Sequence, residues 1–403
     1  MSADEKTLKD HREIGQVLDL FSFHEIAPGA PFWHGKGMII WRELEKYLRE
    51  QLDALGYQEV STPVMVKKQL FEQSGHWQYY RKNMYTLDVD GEIYVLKPMN
   101  CPESTLIYSS RTRSYRDLPI RLSEITGRLH RKELSGVVGG LLRVIQMTQD
   151  DAHHYVRPDQ IEQEIKDLME LIKEFYLHFN MPLSFILATR PEDSMGDLKL
   201  WEKAEKDLES ALKKTKVKYQ IKEKDGAFYG PKIDVNATDS QDREWTIATI
   251  QLDFQTPEKF KLEYVAEDGS KQRPVMIHRA IAGTFERFIG ILLEHTGGAL
   301  PLWLSPVQVA VLPITDKQNQ WAEEVNKNLK EAHVRSEINL NNETLGKKIR
   351  ESETQKIPYL LIVGEKEVKA KAVAVRQRGK RDIGQIKLEK FIGNIEEEIA
   401  NKQ

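Results

Sequence analysis

The hydrophobic pattern changes near residue 304, and no other feature of the sequence constrains the fold as strongly. Beyond this point strand-length apolar runs alternate with amphipathic segments. They predict strands at 307–314, near 334–339, at 359–364 and at 371–378, and helices at 317–332, near 344–353 and from about 386. Such alternation is typical of a small α/β domain with a mixed, mostly parallel sheet. We predict that residues 304–403 form this domain.

The first three hundred residues follow a different pattern. Apolar residues at helical spacing predict helices at 37–56 and 158–180. The strand-like segments between and after these helices, such as LSFILAT, PKIDVNATD and EWTIATIQLDF, do not alternate with helices. This order favours an α+β domain, with a large antiparallel or mixed sheet flanked by helices. We predict that it spans residues 1–303, with the boundary in ALPLWLSP (299–306).

Composition excludes several classes of protein. The chain has 59 basic and 62 acidic residues, and no apolar run approaches the roughly 20 residues that span a bilayer. Its amino terminus does not resemble a secretory signal. Cys101 is the single cysteine, so internal disulfides, zinc ribbons and iron–sulfur clusters are excluded. We therefore expect a soluble cytoplasmic protein, in which Cys101 by itself indicates no more than a small buried side chain.

Two neighbouring segments contain residues suited to phosphate and polar substrates. In RLHRKELSGVVGGLLRV (128–144), Arg131 and Glu133 would share one face of a strand, and Arg143 follows on a returning strand. Arginine forks bind phosphate oxygens, although an Arg-x-Glu pair is more often a surface ion pair. In TQDDAHH (148–154), Gln149, Asp151 and His153 would share a face, either in a binding site or at a solvated strand end.

Three further features extend these candidates. Cys101, His153 and His278 could provide a three-ligand zinc set with one open position, although their spacing does not establish it. The segment 276–293 predicts a loop that leads into a helix, from which Arg287 could reach a triphosphate. GAFYGPKID (226–234) predicts a turn carrying Tyr229 and Lys232, which is consistent with a lid, a phosphate contact or an ordinary hairpin.

Taken together, these segments resemble a known family. A Pro63-containing element, the Arg-x-Glu strand–loop–strand and the Gly-x-x-Glu-Arg helix follow one another like motifs 1, 2 and 3 of the class II aminoacyl-tRNA synthetases. The strings KPMNCP, TQDDAH, GAFYGPKID, TIQLDF and PVMIHRA resemble the threonine-specific members of class IIa. The resemblance covers essentially the whole chain.

The resemblance implies a ligase that joins L-threonine to tRNA(Thr) through threonyl-adenylate. It implies a catalytic Zn²⁺ held by Cys101, His153 and His278, with open positions for the amino and hydroxyl groups of threonine. The threonine pocket would further contain the matching residues Met99, Gln149, Asp151 and Tyr229.

ATP would bind with Mg²⁺ at the matching residues Arg131, Glu133, Arg143, Met147, Gln251 and Arg287. Among these, Arg131 would act on the α-phosphate and Arg287 on the γ-phosphate. Lys232 resembles a further nucleotide or adenylate contact, and His76 resembles the histidine that assists transfer near the tRNA 3′ end. The resemblance also implies a homodimer, with helix 38–55 and the Pro63 strand near its interface.

The carboxy-terminal hundred residues resemble the anticodon-binding domain of class IIa. Residues 365–381 contain seven basic residues and two acidic ones, a charge that suits RNA phosphates or, by default, a solvated face. Asn342, Glu367 and Arg376 match positions that read anticodon bases.

Departures from the family pattern leave a second hypothesis open. Glu103 and Ser104 follow Cys101-Pro102 where Gly-His is common, Met147 takes the place of an aromatic residue, and Thr246 replaces a frequent Gln. A synthetase-like RNA-binding or regulatory protein without aminoacylation is therefore the alternative. The Cys/His/His set argues against a prolyl or seryl enzyme. Because the family's amino-terminal editing domains have no counterpart here, we expect no editing in cis.

Overall fold

The computed structural model describes residues 10–125, 127–132, 139–238 and 243–402. The chain divides into two compact units. The central unit comprises residues 23–31 and 48–291, and the C-terminal unit comprises the residues up to 22, residues 32–47 and those from 292 onward. The predicted domain boundary at 304 stays a prediction.

The strands are numbered here along the described part of the chain. They are β1 (Phe21–Ser22), β2 (Phe32–Trp33), β3 (Gln58–Glu59), β4 (Met65–Lys67), β5 (Tyr85–Val89), β6 (Glu92–Leu96), β7 (Ile120–Glu124), β8 (Arg128–His130), β9 (Gln146–Val156), β10 (Leu183–Ala188), β11 (Tyr219–Lys222), β12 (Lys232–Thr238), β13 (Glu244–Asp253), β14 (Tyr264–Val265), β15 (Lys271–Gln272), β16 (Val275–Thr284), β17 (Val309–Pro313), β18 (Ser336–Ile338), β19 (Tyr359–Val363), β20 (Ala372–Gln377) and β21 (Arg381–Lys387).

The α-helices are numbered in the same way. They are α1 (His11–Val17), α2 (Gly35–Ala54), α3 (Lys68–Ser74), α4 (His76–Tyr80), α5 (Cys101–Ser109), α6 (Ile161–Leu177), α7 (Leu198–Lys214), α8 (Gln255–Lys259), α9 (Phe285–Thr296), α10 (Asn319–Glu331), α11 (Leu345–Thr354), α12 (Glu365–Ala370) and α13 (Leu388–Ala400). Among the described residues, no helix combines the length and apolar character needed to cross a lipid bilayer.

A large, mostly antiparallel sheet forms the centre of the central unit. Its strand order is β11-β10-β12-β13-β16-β9-β7-β3, and β8 pairs with β9. Only the outer pairs β10/β11 and β3/β7 are parallel. This arrangement confirms the predicted α+β class. It also brings β13, β16 and β9, which come from distant parts of the chain, side by side in the middle of the sheet.

Helices α6 and α7 pack beside this sheet. The buried side chains of α6 recur every three or four residues, as in Ile165, Leu168 and Ile172. Helix α7 was not predicted from the sequence. It begins at the N-cap Asp197, whose carboxylate accepts a hydrogen bond from the backbone N–H of Leu200 at 3.1 Å. A buried stripe that includes Trp201 and Leu208 holds α7 in place.

The sheet of the C-terminal unit is mixed, as predicted. Its order is β18-β17-β19-β20-β21. The pairs β17/β18 and β17/β19 are parallel, whereas β19/β20 and β20/β21 are antiparallel, so parallel pairs do not predominate. Strand β21 was missed by the sequence analysis. It returns beside β20 after a turn at Gly379, where φ is +80°. The core of this sheet includes Val311, Leu361 and Val375.

Candidate active site

Three side chains that could bind a metal ion meet on one face of the central sheet. Cys101 is the first residue of α5, His153 lies in β9, and His278 lies opposite it in β16. One potential ligand atom from each of the three lies within 4.8 Å of the other two, and all three side chains are buried. Residues that are far apart in sequence thus form one compact donor set.

The chemistry of this donor set fits zinc. One thiolate and two neutral imidazoles are typical Zn²⁺ ligands, and three protein ligands leave a position for substrate. Burial lowers the pKa of His153 well below its ordinary value, which keeps its ring neutral and able to coordinate. Burial, followed by the charge of Asp151, raises the pKa of the Cys101 thiol. A bound cation would reverse that effect and stabilise the thiolate.

Asp253 supports this donor set and was missed by the sequence analysis. Its Oδ2 lies 2.9 Å from Nε2 of His278, and the residue is completely buried. Its Oδ1 accepts hydrogen bonds from the backbone N–H groups of Gln255 at 2.7 Å and Thr256 at 2.9 Å. The carboxylate is therefore fixed, and it orients the His278 ring. Its position at the end of TIQLDF, beside the predicted Gln251, was the available signal.

A cavity of about 120 Å³ adjoins the three donors. The spacing of Gln149, Asp151 and His153 in β9 predicted a shared face, and all three line this cavity. It brings together many of the predicted threonine, nucleotide and metal residues: Met99, Cys101, Arg131, Gln149, Asp151, His153, Tyr229, Gln251 and His278. Thr249 and Arg279 also border it and were not predicted.

Asp151 is the acidic group of the cavity. Asn100 donates a hydrogen bond from Nδ2 to its Oδ2 at 3.1 Å. Burial raises the pKa of Asp151 to about 6, although the neighbouring His278 and Asn100 act in the opposite direction. A buried carboxylate of this kind can accept a hydrogen bond from a polar group of a small ligand.

Tyr229 reaches the cavity from the tight turn before β12. Its ring stacks on His278 with the centroids 4.7 Å apart, and its hydroxyl donates a hydrogen bond to Gln251. The next residue must be glycine, since a Cβ at Gly230 would lie 1.9 Å from the backbone oxygen of Leu252. The turn is thus pressed against the end of β13, which fixes the position of Tyr229.

Arg131 lies just beyond the end of β8, and not within a strand as predicted. Its backbone N–H donates to the oxygen of Ile145 at 2.9 Å, and its Nη2 lies 3.1 Å from the sulfur of Met147. Met147 is 2% exposed and packs in a small cluster with Leu129 and Val144. Glu133 lies outside the described residues. Arg131 is therefore the cation of this segment that lines the cavity.

The segment 276–293 was predicted as a loop that leads into a helix; the loop is wrong, and the helix is present as α9. Strand β16 continues to Thr284 and passes directly into α9, so His278 lies on a strand. Arg287 is in the first turn of α9 and does not line the cavity. Its Nε donates to the oxygen of Leu142 at 3.0 Å, and its guanidinium lies over Trp245, 5.6 Å from the ring centroid.

Three other predicted residues lie outside the cavity lining. Lys232 forms an ion pair with Asp234 at 2.6 Å. His76 is 1% exposed, with Nδ1 2.8 Å from Oγ of Ser74 and Nε2 3.6 Å from the Cys101 sulfur. Burial lowers the pKa of His76 to about 3. Arg143 is partly buried and forms an isolated bridge with Gly139.

The predicted anticodon contacts lie in the C-terminal unit. Asn342 is exposed, and Nη2 of Arg376 lies 3.3 Å from Oε1 of Glu353. The carboxylate of Glu367 accepts hydrogen bonds from the backbone N–H of Gly364 and from Nε2 of Gln385, both at 3.0 Å. Glu367 thus caps its own helix.

Comparison with known proteins matches both parts of the chain. Residues 85–296 match the family described as tRNA synthetase class II core domain (G, H, P, S and T), and residues 308–398 match the anticodon binding domain. The threonine–tRNA ligase of Desulforamulus reducens is 52% identical over 399 residues, which cover 99% of this chain and 63% of that protein. The chain therefore spans less than two thirds of the length of such curated relatives.

The fold is also similar to solved structures of threonyl-tRNA synthetases. The RNA binding domain of threonyl-tRNA synthetase from Cryptosporidium parvum superposes with a TM-score of 0.92 and 38% identity, covering 96% of this chain and 98% of that one. A putative threonyl-tRNA synthetase from Aeropyrum pernix gives a TM-score of 0.85 and 28% identity, covering 98% and 97% of the two chains.

Proposed function

This chain belongs to the class II tRNA synthetases, within the threonyl-tRNA synthetase family, and on that basis we propose that it activates L-threonine with ATP and transfers it to tRNA(Thr). One observation supports this function above the others. The Cys101, His153 and His278 donors, the Asp151 carboxylate and the Arg131 guanidinium all border a single cavity of about 120 Å³. This volume suits a small amino acid, and the Arg131 guanidinium suits an anionic group at its end.

Threonine would be selected by its hydroxyl group. We propose that Cys101, His153 and His278 hold Zn²⁺, which when bound would act as a Lewis acid toward the amino and hydroxyl groups of the substrate. Asp151 would accept the hydroxyl hydrogen bond, with Met99, Gln149 and Tyr229 enclosing the remainder. Valine would leave these polar groups unpaired, whereas serine lacks only a methyl group, a difference of about 1–3 kcal/mol.

Adenylate formation joins the threonine carboxylate to the α-phosphorus of ATP while the bond to pyrophosphate breaks. Arg131 would hold the α-phosphate, because its guanidinium is next to the amino-acid cavity. Arg287 would bind the γ-phosphate, and Mg²⁺ would accompany the triphosphate. Further nucleotide or adenylate contacts are proposed for Glu133, Arg143, Met147, Lys232 and Gln251.

Transfer to tRNA would use both units. His76 is proposed to assist near the tRNA 3′ end, and Asn342, Glu367 and Arg376 to contact the anticodon. The exposure of Val64 and Met65, at 37% and 46%, supports association of two copies through the Pro63 segment. The cytoplasm, where a thiol ligand stays reduced, is the proposed location.

The test combines metal content with the first half-reaction. Cys101→Ser and His153→Asn should lose bound zinc, measured by elemental analysis, and should lose threonine-dependent ATP–pyrophosphate exchange. The matched control is His333→Asn, which changes an exposed histidine of the C-terminal unit and should keep both. Wild-type exchange by Cys101→Ser, or no exchange by the unmodified chain, would refute the proposal.

A further inference from the structure

Strands β9 and β16 lose their regular pairing beside the cavity. Ala280 pairs with Asp151, but the next pair joins Thr284 to Gln149. Three residues of β16 therefore lie opposite one residue of β9, which is Asp150. Such a bulge leaves backbone N–H groups without partners in the ladder. Buried groups of this kind must find partners elsewhere.

The side chain of Asp150 supplies those partners. Its carboxylate accepts from the N–H of Ile281, with the shorter contact at 2.8 Å, and from the N–H of Ala282 at 3.1 Å. Arg279 donates from Nη1 to the same carboxylate at 3.3 Å and to the Asp150 backbone oxygen at 2.6 Å. Asp150 and Arg279 are both completely buried side chains. One carboxylate thus replaces the missing ladder bonds and neutralises a buried arginine.

The bulge determines where α9 begins. Gly283 closes it at φ +63°, and a Cβ there would lie 2.8 Å from the backbone oxygen of Ile247. On the other side, Tyr176 donates from its hydroxyl to the oxygen of Ile281 at 2.8 Å. Helix α9 starts two residues after Gly283, with Arg287 in its first turn. A shift of the bulge would therefore move Arg287.

A second buried carboxylate, on helix α9, forms a hydrogen bond with the backbone of strand β9. Glu286 of α9 is 1% exposed and accepts from the backbone N–H of Thr148 in β9, with the shorter contact at 3.0 Å. Asp150 thus links β9 to the backbone of β16, and Glu286 links α9 to the backbone of β9. On β9 these contacts flank Gln149 and adjoin Asp151, two of the residues that line the cavity.

We propose that Asp150 is a positioning residue for nucleotide binding, which holds the bulge so that Arg287 is placed correctly relative to the cavity side of β9. This inference rests on the proposed function, in which Arg287 binds the γ-phosphate. Asp150 is completely buried and does not line the cavity. It acts through the backbone of residues 281–284.

Nucleotide binding tests the proposal without requiring aminoacylation. Asp150→Asn replaces one accepting oxygen with a donor that faces Arg279 and Ile281. Its affinity for ATP, measured by calorimetry with Mg²⁺, should fall at least tenfold, whereas its affinity for AMP should stay within twofold. The control Asp159→Asn makes the same change at an exposed carboxylate and should alter neither. Equal losses for ATP and AMP, or no loss, would overturn the proposal.

A double-mutant cycle with Arg287→Ala tests whether Asp150 affects ATP binding through Arg287. If Asp150 acts through Arg287, adding Asp150→Asn to Arg287→Ala should weaken ATP binding by less than twofold, whereas additive losses would contradict that route. If Asp150→Asn does not fold, Gly283→Ala, which strains the same bulge at φ +63° and changes no residue of the cavity lining, should show the same selective loss of ATP affinity. Because the proposed function is judged by threonine-dependent exchange, each proposal can fail separately.

Discussion

At the scale of single residues, Asp253 determines which ring nitrogen of His278 can bind a metal. An imidazole that donates from Nε2 to the Asp253 carboxylate, 2.9 Å away, keeps Nδ1 unprotonated. Carboxylates in this role fix the tautomer and orientation of a ligating histidine. Because Asp253 is itself held by two backbone N–H groups, the His278 ring has little freedom to turn.

Asp253→Asn should therefore weaken zinc binding. Asparagine can still accept a hydrogen bond from one oxygen, but it lacks the charge that stabilises a donating imidazole. The loss of affinity should be about 10–100-fold, the usual effect of such a partner. Competition against a chromogenic chelator measures it. Asp90→Asn, at an exposed turn residue with φ +53° that asparagine also adopts, is the control, and an equal change in both variants would contradict this role.

The cavity residues differ in how far the sequence could reveal them. The period of two in a strand was enough to place Gln149, Asp151 and His153 on one face. The same rule places Thr249, two residues before Gln251 in β13, on the face of Gln251. The meeting of Cys101 with His278 depends on strand order, which local spacing cannot show. Only the family resemblance predicted it.

At the scale of elements, errors arose where one pattern is compatible with two structures. The first part of the segment 276–293, which begins within PVMIHRAIAG, was predicted to be a loop. It is instead a buried strand with a bulge, since Asp150 satisfies the irregular backbone from the neighbouring strand. Helix α7 was missed because its many charges mask a stripe with Trp201 and Leu208 at helical spacing.

The buried carboxyl group of Glu286, in the first turn of α9, should make the stability of the fold depend on pH. Burial raises the pKa of Glu286 from 4.5 to about 7 in the folded chain, although its contact with the Thr148 N–H acts in the opposite direction. The folded state therefore binds the proton more tightly, and its stability should decrease as pH rises from 4.5 to 7. At 1.36 kcal/mol per pKa unit, the loss is about 3 kcal/mol.

Glu286→Gln should abolish this loss of stability with rising pH, because glutamine does not ionise. The free energy of unfolding of the variant, relative to the unmodified chain, should increase by about 3 kcal/mol between pH 4.5 and pH 8. Urea unfolding at the two pH values measures the difference. Glu170→Gln, at an exposed position of α6, is the control for the effect of a Glu-to-Gln change on the free energy of unfolding. A relative stability that is constant or falls with pH would contradict the prediction.

At the scale of the whole molecule, the change of pattern near residue 304 indicated two domains, but local patterns could not show which distant segments pack together. Within the C-terminal unit, for example, Nη1 of Arg335 contacts Oε1 of Glu43 at 2.8 Å, and Nδ1 of His11 lies 2.7 Å from Oε1 of Glu294. Such contacts depend on tertiary packing. The described residues that are proposed to bind threonine and ATP all lie in the central unit, whereas the proposed anticodon contacts lie in the C-terminal unit.

This separation predicts that a change in the C-terminal unit can affect tRNA without affecting activation. Arg376 borders a cavity of about 310 Å³, and its side chain is 32% exposed beside Glu353. Loss of one arginine contact to a base costs about 1–3 kcal/mol, so Arg376→Ala should raise the KM for tRNA(Thr) by roughly 5-fold to 150-fold. Threonine-dependent exchange, which involves no tRNA, should stay at the level of the unmodified chain.

Lys390→Ala removes one positive charge from an exposed position of α13 and controls for the general attraction of RNA to basic surfaces. If Arg376 contacts a base, Arg376→Ala should raise the KM for tRNA(Thr) more than Lys390→Ala does. This difference should persist at high salt, where contacts to phosphates weaken. Steady-state aminoacylation at two salt concentrations measures both. Equal losses in the two variants would mean that Arg376 contributes charge alone, because only a contact to a base retains its effect when the backbone attraction is screened.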